Sequence, residues 1–210
     1  MKLYSYWRST TSVRVRAVLN LKGVTYEMQT LDLTGGEQKG ADYAAINPSK
    51  GVPSLVLDDG TVLTQSLAII DYLDATHPEP PMLPGDDVER ARVLAASLCI
   101  AMDIHPVNNL MVLSRLTEDF GATQDQKVAW MHHWMHEGLG AFQSLIRDDT
   151  RYSFGDQVTL ADICLVGQMV NARRWDLDLS ALGRLVEIDA RLREIPEIHA
   201  ALPEQQPDAS

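Results

Sequence analysis

The most informative segment of the chain is Tyr4-Ser5-Tyr6-Trp7-Arg8-Ser9-Thr10-Thr11-Ser12-Val13-Arg14-Val15-Arg16. Bulky residues predict a strand over Leu3–Trp7, and the pattern that follows predicts a helix over Val13–Lys22. A run of hydroxyl side chains, Ser9–Ser12, therefore lies where a strand leads into a helix N-terminus. Unpaired backbone N–H groups and the helix dipole favour an anion there, although an N-cap role for Ser9 or Thr11 alone explains the same pattern.

The composition argues against several classes of protein. Hydrophobic residues make up 45% of the 210-residue chain, and the net charge of −11 argues against nucleic acid as a partner. Cys99 and Cys164 lie in apolar stretches, which predicts buried thiols rather than a disulfide or a metal site. No apolar run reaches the length of a membrane span, and arginines interrupt the place where a signal peptide would be apolar. We therefore expect a cytoplasmic protein with neither a membrane nor a nucleic-acid partner.

Residues 1–79 show the order β-α-β-α-β-β-α, which predicts an α/β domain with a four-stranded mixed sheet. After the first strand and helix, the expected elements are a strand, a short helix, two strands and a helix, at Tyr26–Asp32, Lys39–Ala45, Ser54–Leu57, Thr61–Leu63 and Gln65–Ala75. An Asp-Gly step between the last two strands is a strong hairpin signal. The order of elements also favours a cis bond between Val52 and Pro53, which would expose the backbone of Val52 to a ligand.

A proline-rich segment separates this domain from a second, helical one. Because His77–Gly85 contains four prolines, we place a linker at residues 80–85. An all-helical domain is expected over residues 86–203, with helices at Val88–Ile104, Val107–Asp119, Gln124–Leu145, Thr159–Arg174, Leu182–Arg193 and Ile195–Leu202. Thr159 and Asp162 have the spacing of a capping box at the start of a central helix, and residues 204–210 have the composition of a disordered tail.

Several motifs, taken in order, give the chain a specific resemblance. They are Trp7-Arg8-Ser9-Thr10-Thr11-Ser12-Val13-Arg14-Val15-Arg16, Asn47-Pro48 with Val52-Pro53, Gln65-Ser66 with Ala68-Ile69-Ile70, Asp103-Ile104-His105-Pro106 with Asn108-Asn109, Arg151-Tyr152-Ser153-Phe154-Gly155-Asp156, and Thr159-Leu160-Ala161-Asp162. Each motif is weak alone, but the ordered set spans almost the whole chain and resembles the zeta class of glutathione transferases. The resemblance implies a thioredoxin-like N-terminal domain that binds glutathione, an all-helical substrate-binding domain and a homodimer.

The resemblance also implies roles for individual residues. Those expected to bind glutathione are Gln38, Lys50, Val52, Pro53, Gln65, Ser66 and Asn108. Ser66 opens a helix, so its hydroxyl and the nearby amides can hold the γ-glutamyl carboxylate, and the Val52 backbone can pair with the cysteinyl unit. The thiol is expected over Ser9, Thr10 and Thr11, where hydroxyl donors and the helix N-terminus lower its pKa. Which of the three contacts the sulfur stays open.

The implied activity is cis–trans isomerisation of a small dicarboxylate with a conjugated double bond. Addition of the glutathione thiolate turns the double bond into a single bond, which rotates before elimination restores the trans isomer. Arg8 and Arg174 are expected to bind carboxylates, whereas Arg173 is expected on a solvated helix face. Leu110-Met111 stands where some maleylpyruvate isomerases have Arg-Arg, which favours maleylacetoacetate as the substrate.

Three other functions remain open at this point. One is isomerisation of maleylpyruvate, another is general glutathione transfer or peroxidase activity, and the third is ligand binding without catalysis. The hydroxyl cluster and Arg8 count against the third, because a pure binding module needs no group that activates a thiol. His132 and His136 have ligand-like i, i+4 spacing, but no third ligand is evident, so no metal site is expected.

Overall fold

The computed structural model describes residues 1–209, which divide into two compact units. The first unit comprises Met1–Pro81 together with the described residues from Arg193 onwards, and the second comprises Met82–Leu192. This division differs from the expected helical domain over 86–203, because the segment from Arg193 packs with the first unit.

The C-terminal segment also differs from the expected disordered tail over 204–210. Pro203–Gln205 form a 3-10 turn, and the side chain of Gln206 donates to the carbonyls of Ala200 and Leu202, each at 2.8 Å. Asp208 accepts the backbone N–H of Trp7 at 3.1 Å. These bonds order a polar segment whose composition alone predicts no structure, and Ser210 lies outside the described residues.

The first unit contains the predicted four-stranded mixed sheet, with strand order β2-β1-β3-β4. Its strands are β1 (Lys2–Ser5), β2 (Glu27–Thr30), β3 (Ser54–Val56) and β4 (Val62–Thr64). β1 pairs in parallel with β2, with Leu3 opposite Met28, and antiparallel with β3, with Leu3 opposite Leu55. β4 pairs antiparallel with β3 through the predicted hairpin.

The helices of this unit are α1 (Thr10–Leu21), α2 (Ala41–Ile46), α3 (Ser66–Thr76) and, near the C-terminus, α9 (Pro196–His199). α1 packs against both α3 and α9. It is buried along nearly its whole length, including Arg14 and Arg16, at 1% and 0% exposure. α1 begins at Thr10 rather than at the expected Val13, because Ser9 is its N-cap, so the hydroxyl run forms the first turn instead of preceding it.

The second unit is helical, as predicted. Its helices are α4 (Asp87–Leu98), α5 (Leu110–Phe120), α6 (Gln124–Leu145), α7 (Leu160–Arg174) and α8 (Gly183–Arg193), the last of which ends at the boundary between the units. A π-helical turn, Cys99–Ile104, continues α4 and packs against α6. A Cβ at Gly138 of α6 would lie 2.2 Å from Cγ1 of Ile104, so glycine permits this close approach.

The predicted capping motif at Thr159 fixes the start of α7, the most deeply buried helix of the second unit. The carboxylate of Asp162 accepts the N–H and the hydroxyl of Thr159, each at 2.8 Å, and the N–H of Ser153 at 2.9 Å. Asp162 is 0% exposed, and burial raises the pKa of its carboxyl although these hydrogen bonds act in the opposite direction. One side chain therefore joins the helix start to the preceding loop.

We expect Asp162→Ala to lower the free energy of unfolding by about 3 kcal/mol, because three donors lose their acceptor in a buried site. Asp86→Ala is the matched control, since Asp86 caps α4 by accepting the N–H groups of Val88 and Glu89 at an exposed position. Its loss should cost only about 1 kcal/mol. Urea unfolding measures the loss of stability in both variants. Equal losses would contradict the prediction that the buried cap contributes more to stability than the exposed one.

Candidate functional site

The N-terminus of α1 carries a continuous chain of hydrogen bonds. The N–H of Ser12 donates to Oγ of Ser9 at 3.2 Å, and Oγ of Ser9 lies 2.9 Å from Oγ1 of Thr11. Thr11 in turn donates its hydroxyl to the carbonyl of Val52 at 2.8 Å. Because Thr11 has one hydroxyl proton and gives it to Val52, Ser9 must be the donor in the bond between the two hydroxyls.

This arrangement distinguishes the three hydroxyl residues that the sequence placed together. Ser9 and Thr11 are both partly exposed, whereas Thr10 is buried at 6% exposure. Both exposed hydroxyls are already acceptors, and both protons are committed within the unit. A negatively charged ligand at this place therefore meets the N–H groups of the first helical turn, or gains the Ser9 proton when that hydroxyl turns away from Thr11.

The loop that carries Val52 is held by a second network. The bond between Val52 and Pro53 is cis, as the sequence favoured. The side-chain amide of Asn47 donates to the carbonyl of Gly51 at 2.8 Å, and the hydroxyl of Tyr43 donates to the same carbonyl at 2.6 Å. Sequence reasoning quoted Asn47 only as part of a motif and did not identify this anchoring role.

Gln65 and Ser66 form the entrance to α3. Gln65 is exposed and has φ 68° and ψ 117°, a conformation that non-glycine residues adopt only where the surroundings enforce it. Ser66 follows as the first helical residue and is buried at 6% exposure. Its Oγ lies 3.5 Å from Nη1 of Arg14, at the outer limit of a hydrogen bond.

Gln38 and Lys50, the other two predicted glutathione residues of the first unit, lie in different surroundings. Gln38 is buried at 6% exposure, and its amide donates to the carbonyl of Leu33 at 3.2 Å. Lys50 is exposed and has a left-handed backbone with φ 55°. No hydrogen bond described in residues 1–209 joins either side chain to the hydroxyl chain, and their roles stay predictions.

Arg8 lies where β1 leads into α1, and its guanidinium is held by two aromatic neighbours. It donates to the hydroxyl of Tyr6 at 2.9 Å and 3.2 Å and stacks over the ring of Trp7 at 4.5 Å. It lines a cavity of about 670 Å³ in the first unit, together with Asp32 and Asp208. The pKa of Asp32 is lowered chiefly by the hydroxyl of Thr34, with a smaller contribution from Arg8.

A second cavity, of about 420 Å³, lies within the second unit. Arg174 lines it and stacks over the ring of Trp175 at 5.0 Å. Lys127 supplies another cation, Glu118 an anion and Leu110 an apolar wall. Sequence reasoning missed Lys127, whose signal was weak because it is one lysine in a long helix of mixed composition.

Asn108, also predicted to bind glutathione, belongs to the second unit. Its amide nitrogen lies 3.5 Å from the carbonyl of Met131, and its buried Oδ1 has no hydrogen-bond partner within residues 1–209.

Arg173 forms an ion pair with Asp189, whose side chain is 0% exposed. The sequence predicts only a solvated helix face for Arg173, so this ion pair is a structural contact that the sequence did not reveal.

The histidines of α6 make contacts of another kind. His132 pairs through Nε2 with the carbonyl of Trp175 at 2.6 Å. In the described part of the chain, no group of three or more His, Cys, Asp or Glu side chains is arranged to hold a metal ion. Cys99 and Cys164 are both buried, as predicted. None of the helices within residues 1–209 combines the length and the apolar character that crossing a membrane requires.

Comparison with known proteins identifies relatives along the whole chain. A family model, the glutathione S-transferase N-terminal domain, matches residues 8–76. A probable maleylacetoacetate isomerase of Vibrio cholerae is 44% identical over 99% of this chain and 97% of its own length. The holo structure of a maleylpyruvate isomerase, a bacterial zeta-class glutathione S-transferase, has TM-score 0.97 and 41% identity over 100% of both chains. A maleylacetoacetate isomerase from Methylobacterium extorquens AM1 with bound malonate and glutathione has TM-score 0.96 and 35% identity, again over 100% of both chains.

The bond from Thr11 to Val52 gives a direct test of the site. We expect Thr11→Val to lower the free energy of unfolding by about 1 kcal/mol, because a carbonyl loses its donor, and Thr11→Ser to restore most of this. Thr76→Val is the matched control, since the Thr76 hydroxyl bonds to the carbonyl of Tyr72 in the preceding helical turn and lies 3.0 Å from Nδ1 of His77, both at exposed positions. Urea unfolding compares the stabilities of the variants. If Thr76→Val lost as much stability as Thr11→Val, the proposed contribution of the hydrogen bond from Thr11 to Val52 would be wrong.

Proposed function

The chain belongs to the zeta-class glutathione transferase family, and from that premise we propose that it is a glutathione-dependent isomerase that converts maleylacetoacetate to fumarylacetoacetate. The observation that carries the proposal is the set formed by Ser9, Thr11 and Val52 at the start of α1. It combines an anion-binding helix N-terminus with a backbone segment that can pair with an extended peptide.

Glutathione, when bound, supplies a thiolate that adds reversibly to the cis double bond of the substrate. The work of the protein is to keep that sulfur ionised and in place. A free thiol has a pKa of about 8.5, and lowering it by about two units requires about 2.7 kcal/mol of preferential binding of the anion. The N-terminus of α1 and one charge-assisted hydrogen bond from Ser9 are of the right size to provide this.

The residues present fit a peptide with two carboxylates and one amine. Ser66 offers a hydroxyl and the first N–H groups of α3 to the glutamyl carboxylate, directly after Gln65 with its φ of 68°. The carbonyl of Val52 already accepts the hydroxyl of Thr11. The cysteinyl unit is therefore bound by the N–H of Val52, and by its carbonyl only when the Thr11 hydroxyl turns to another acceptor. The Methylobacterium relative is described with glutathione and malonate bound, which supports the same ligand classes for this chain.

Two cationic side chains of the second unit suit a substrate with two carboxylates. Arg174 and Lys127 line the same cavity of about 420 Å³. Arginine can hold a carboxylate through two parallel hydrogen bonds, and lysine can neutralise a second one as a point charge. Leu110, 51% exposed, adds an apolar wall where an arginine would favour a smaller and more polar substrate. This wall favours maleylacetoacetate over maleylpyruvate.

Two further properties belong to the proposal. A homodimer is implied by the family resemblance, and the exposed apolar side chains Leu94 and Met102, at 37% and 62% exposure, support it. Cytoplasmic location is supported by Cys99 and Cys164, neither of which forms a disulfide, as is usual in a reducing compartment.

The function is tested by following isomerisation of maleylacetoacetate and maleylpyruvate side by side, with and without glutathione, by ultraviolet absorbance. We expect faster turnover of maleylacetoacetate and none without glutathione. Faster turnover of maleylpyruvate would make the argument from Leu110 wrong and would assign the chain to that reaction. Binding of glutathione without turnover of either compound would favour a general transferase, a peroxidase or a binding protein.

The two neighbouring arginines at the end of α7 provide a matched pair. We expect Arg174→Ala to raise the KM for maleylacetoacetate by about tenfold or more, because a charge-assisted contact is lost, while glutathione affinity changes little. Arg173→Ala should leave that KM unchanged and lower stability instead, since Arg173 pairs with the buried Asp189. Steady-state kinetics and urea unfolding separate the two effects, and an unchanged KM in Arg174→Ala would remove Arg174 from the substrate site.

A further inference from the structure

α1 contains two buried arginines that differ in how their charge is accommodated. Arg16 is 0% exposed and donates to the carbonyls of Tyr6, Trp7 and Ala201 and to the hydroxyl of Ser5. Burial lowers the pKa of Arg16 to about 10, which still leaves it charged at neutral pH. Every nitrogen of its guanidinium therefore has an oxygen acceptor.

Arg14 has almost none of these contacts. It is 1% exposed, and its one described hydrogen-bond contact is the 3.5 Å approach of Nη1 to Oγ of Ser66. Within residues 1–209, neither its Nε nor its Nη2 has a hydrogen-bond partner. A buried cation without acceptors is costly, because it has lost its hydration and gained nothing in exchange. Such a group points to a role other than folding.

The position of Arg14 identifies the charge that would compensate it. Ser66 is the first residue of α3, an eleven-residue helix whose N-terminal N–H groups already favour an anion. When the Arg14 guanidinium donates to Oγ of Ser66, that hydroxyl keeps its own proton for another acceptor. The guanidinium of Arg14 and the N-terminus of α3 would thus both stabilise an anion bound at Ser66.

We propose that Arg14 is a positioning residue that orients and polarises Ser66 toward the glutamyl α-carboxylate of glutathione. The inference rests on the proposed function, since it names a further determinant of the same ligand. Arg14 acts through Ser66 and through its field, and its fixed charge offsets that of the carboxylate with weak screening, because Arg14 and Ser66 are only 1% and 6% exposed.

The test compares two ligands that differ by one group. Glutathione and 4-aminobutyryl-cysteinyl-glycine are identical except that the second lacks the glutamyl α-carboxylate. Isothermal titration gives the ratio of their affinities for the native chain and for Arg14→Met. We expect this ratio to fall by about tenfold or more in Arg14→Met, with the affinity for the shorter analogue nearly unchanged. A general loss of structure would weaken both ligands alike.

Four further variants make the result specific. Arg16→Met is the matched control and should lower the melting temperature of the ligand-free protein without changing the affinity ratio. Arg14→Met should not lower that temperature, because it removes a costly buried charge. Ser66→Ala should also reduce the ratio, and adding Arg14→Met to it should reduce the ratio little further, since both changes interrupt one contact. Arg14→Lys should recover part of the ratio.

Several outcomes would overturn the inference. A folded Arg14→Met protein with the native affinity ratio would remove Arg14 from the glutamyl site. A protein that fails to fold in both Arg14→Met and Arg14→Lys would assign Arg14 to structure instead. If the native chain binds neither ligand, the proposed function itself is refuted. This outcome differs from native binding with an unchanged affinity ratio in Arg14→Met, which refutes only the role of Arg14.

Discussion

The guanidinium of Arg16 joins the parts of the first unit on which the site depends. Its donors reach the carbonyls of Tyr6 and Trp7 at the end of β1, the hydroxyl of Ser5 and the carbonyl of Ala201 after α9. Backbone carbonyls that leave a strand edge need donors, and one buried arginine satisfies several of them together. The turn from β1 into α1 is therefore fixed from the inside, and Thr11 in the first turn of α1 stays partly exposed. Asp208, at the other end of the chain, accepts the N–H of Trp7 and closes the same turn.

That fixed turn explains how the hydroxyl residues share their tasks. Ser9 caps the helix, Thr11 ties it to the loop of Val52, and Thr10 is buried against the interior. Stabilising a thiolate requires only one hydroxyl donor, so the other hydroxyls can have structural roles. The hydroxyl of Thr11 both accepts the hydrogen bond from Ser9 and donates to the carbonyl of Val52.

The order of the elements could be predicted from the sequence because hydrophobic periodicity, turn residues and the Asp-Gly hairpin are local signals. The cis bond before Pro53 followed from that order. The start of α1 was misplaced by three residues because a serine N-cap and hydroxyl residues of a first turn look alike in sequence. Residues 204–209 are polar and therefore expected to be disordered, yet Gln206 bonds to the nearby carbonyls of Ala200 and Leu202, and Asp208 accepts the N–H of Trp7. The contact with Trp7 joins the two ends of the chain, so no local pattern encodes it. The burial of Arg14 and Arg16 was likewise invisible, since Val-Arg-Val-Arg has the composition of a half-exposed helix and α1 is buried on nearly all sides.

The overall charge of the chain makes short-range cations decisive. A protein with a net charge of −11 repels a dicarboxylate at a distance, so its surface field does not guide the substrate in. At physiological salt, however, charges are screened beyond about 8 Å, and a partly desolvated arginine a few ångströms from a carboxylate dominates over dispersed surface acids. Arg8, held against Tyr6 and Trp7, and Arg174, held against Trp175, each have an aromatic neighbour that limits the freedom of the guanidinium. Under the proposed function, specificity for an anionic substrate in this acidic chain depends on a few immobilised cations rather than on electrostatic steering, and the proposed role of Arg14 extends the same principle into the core.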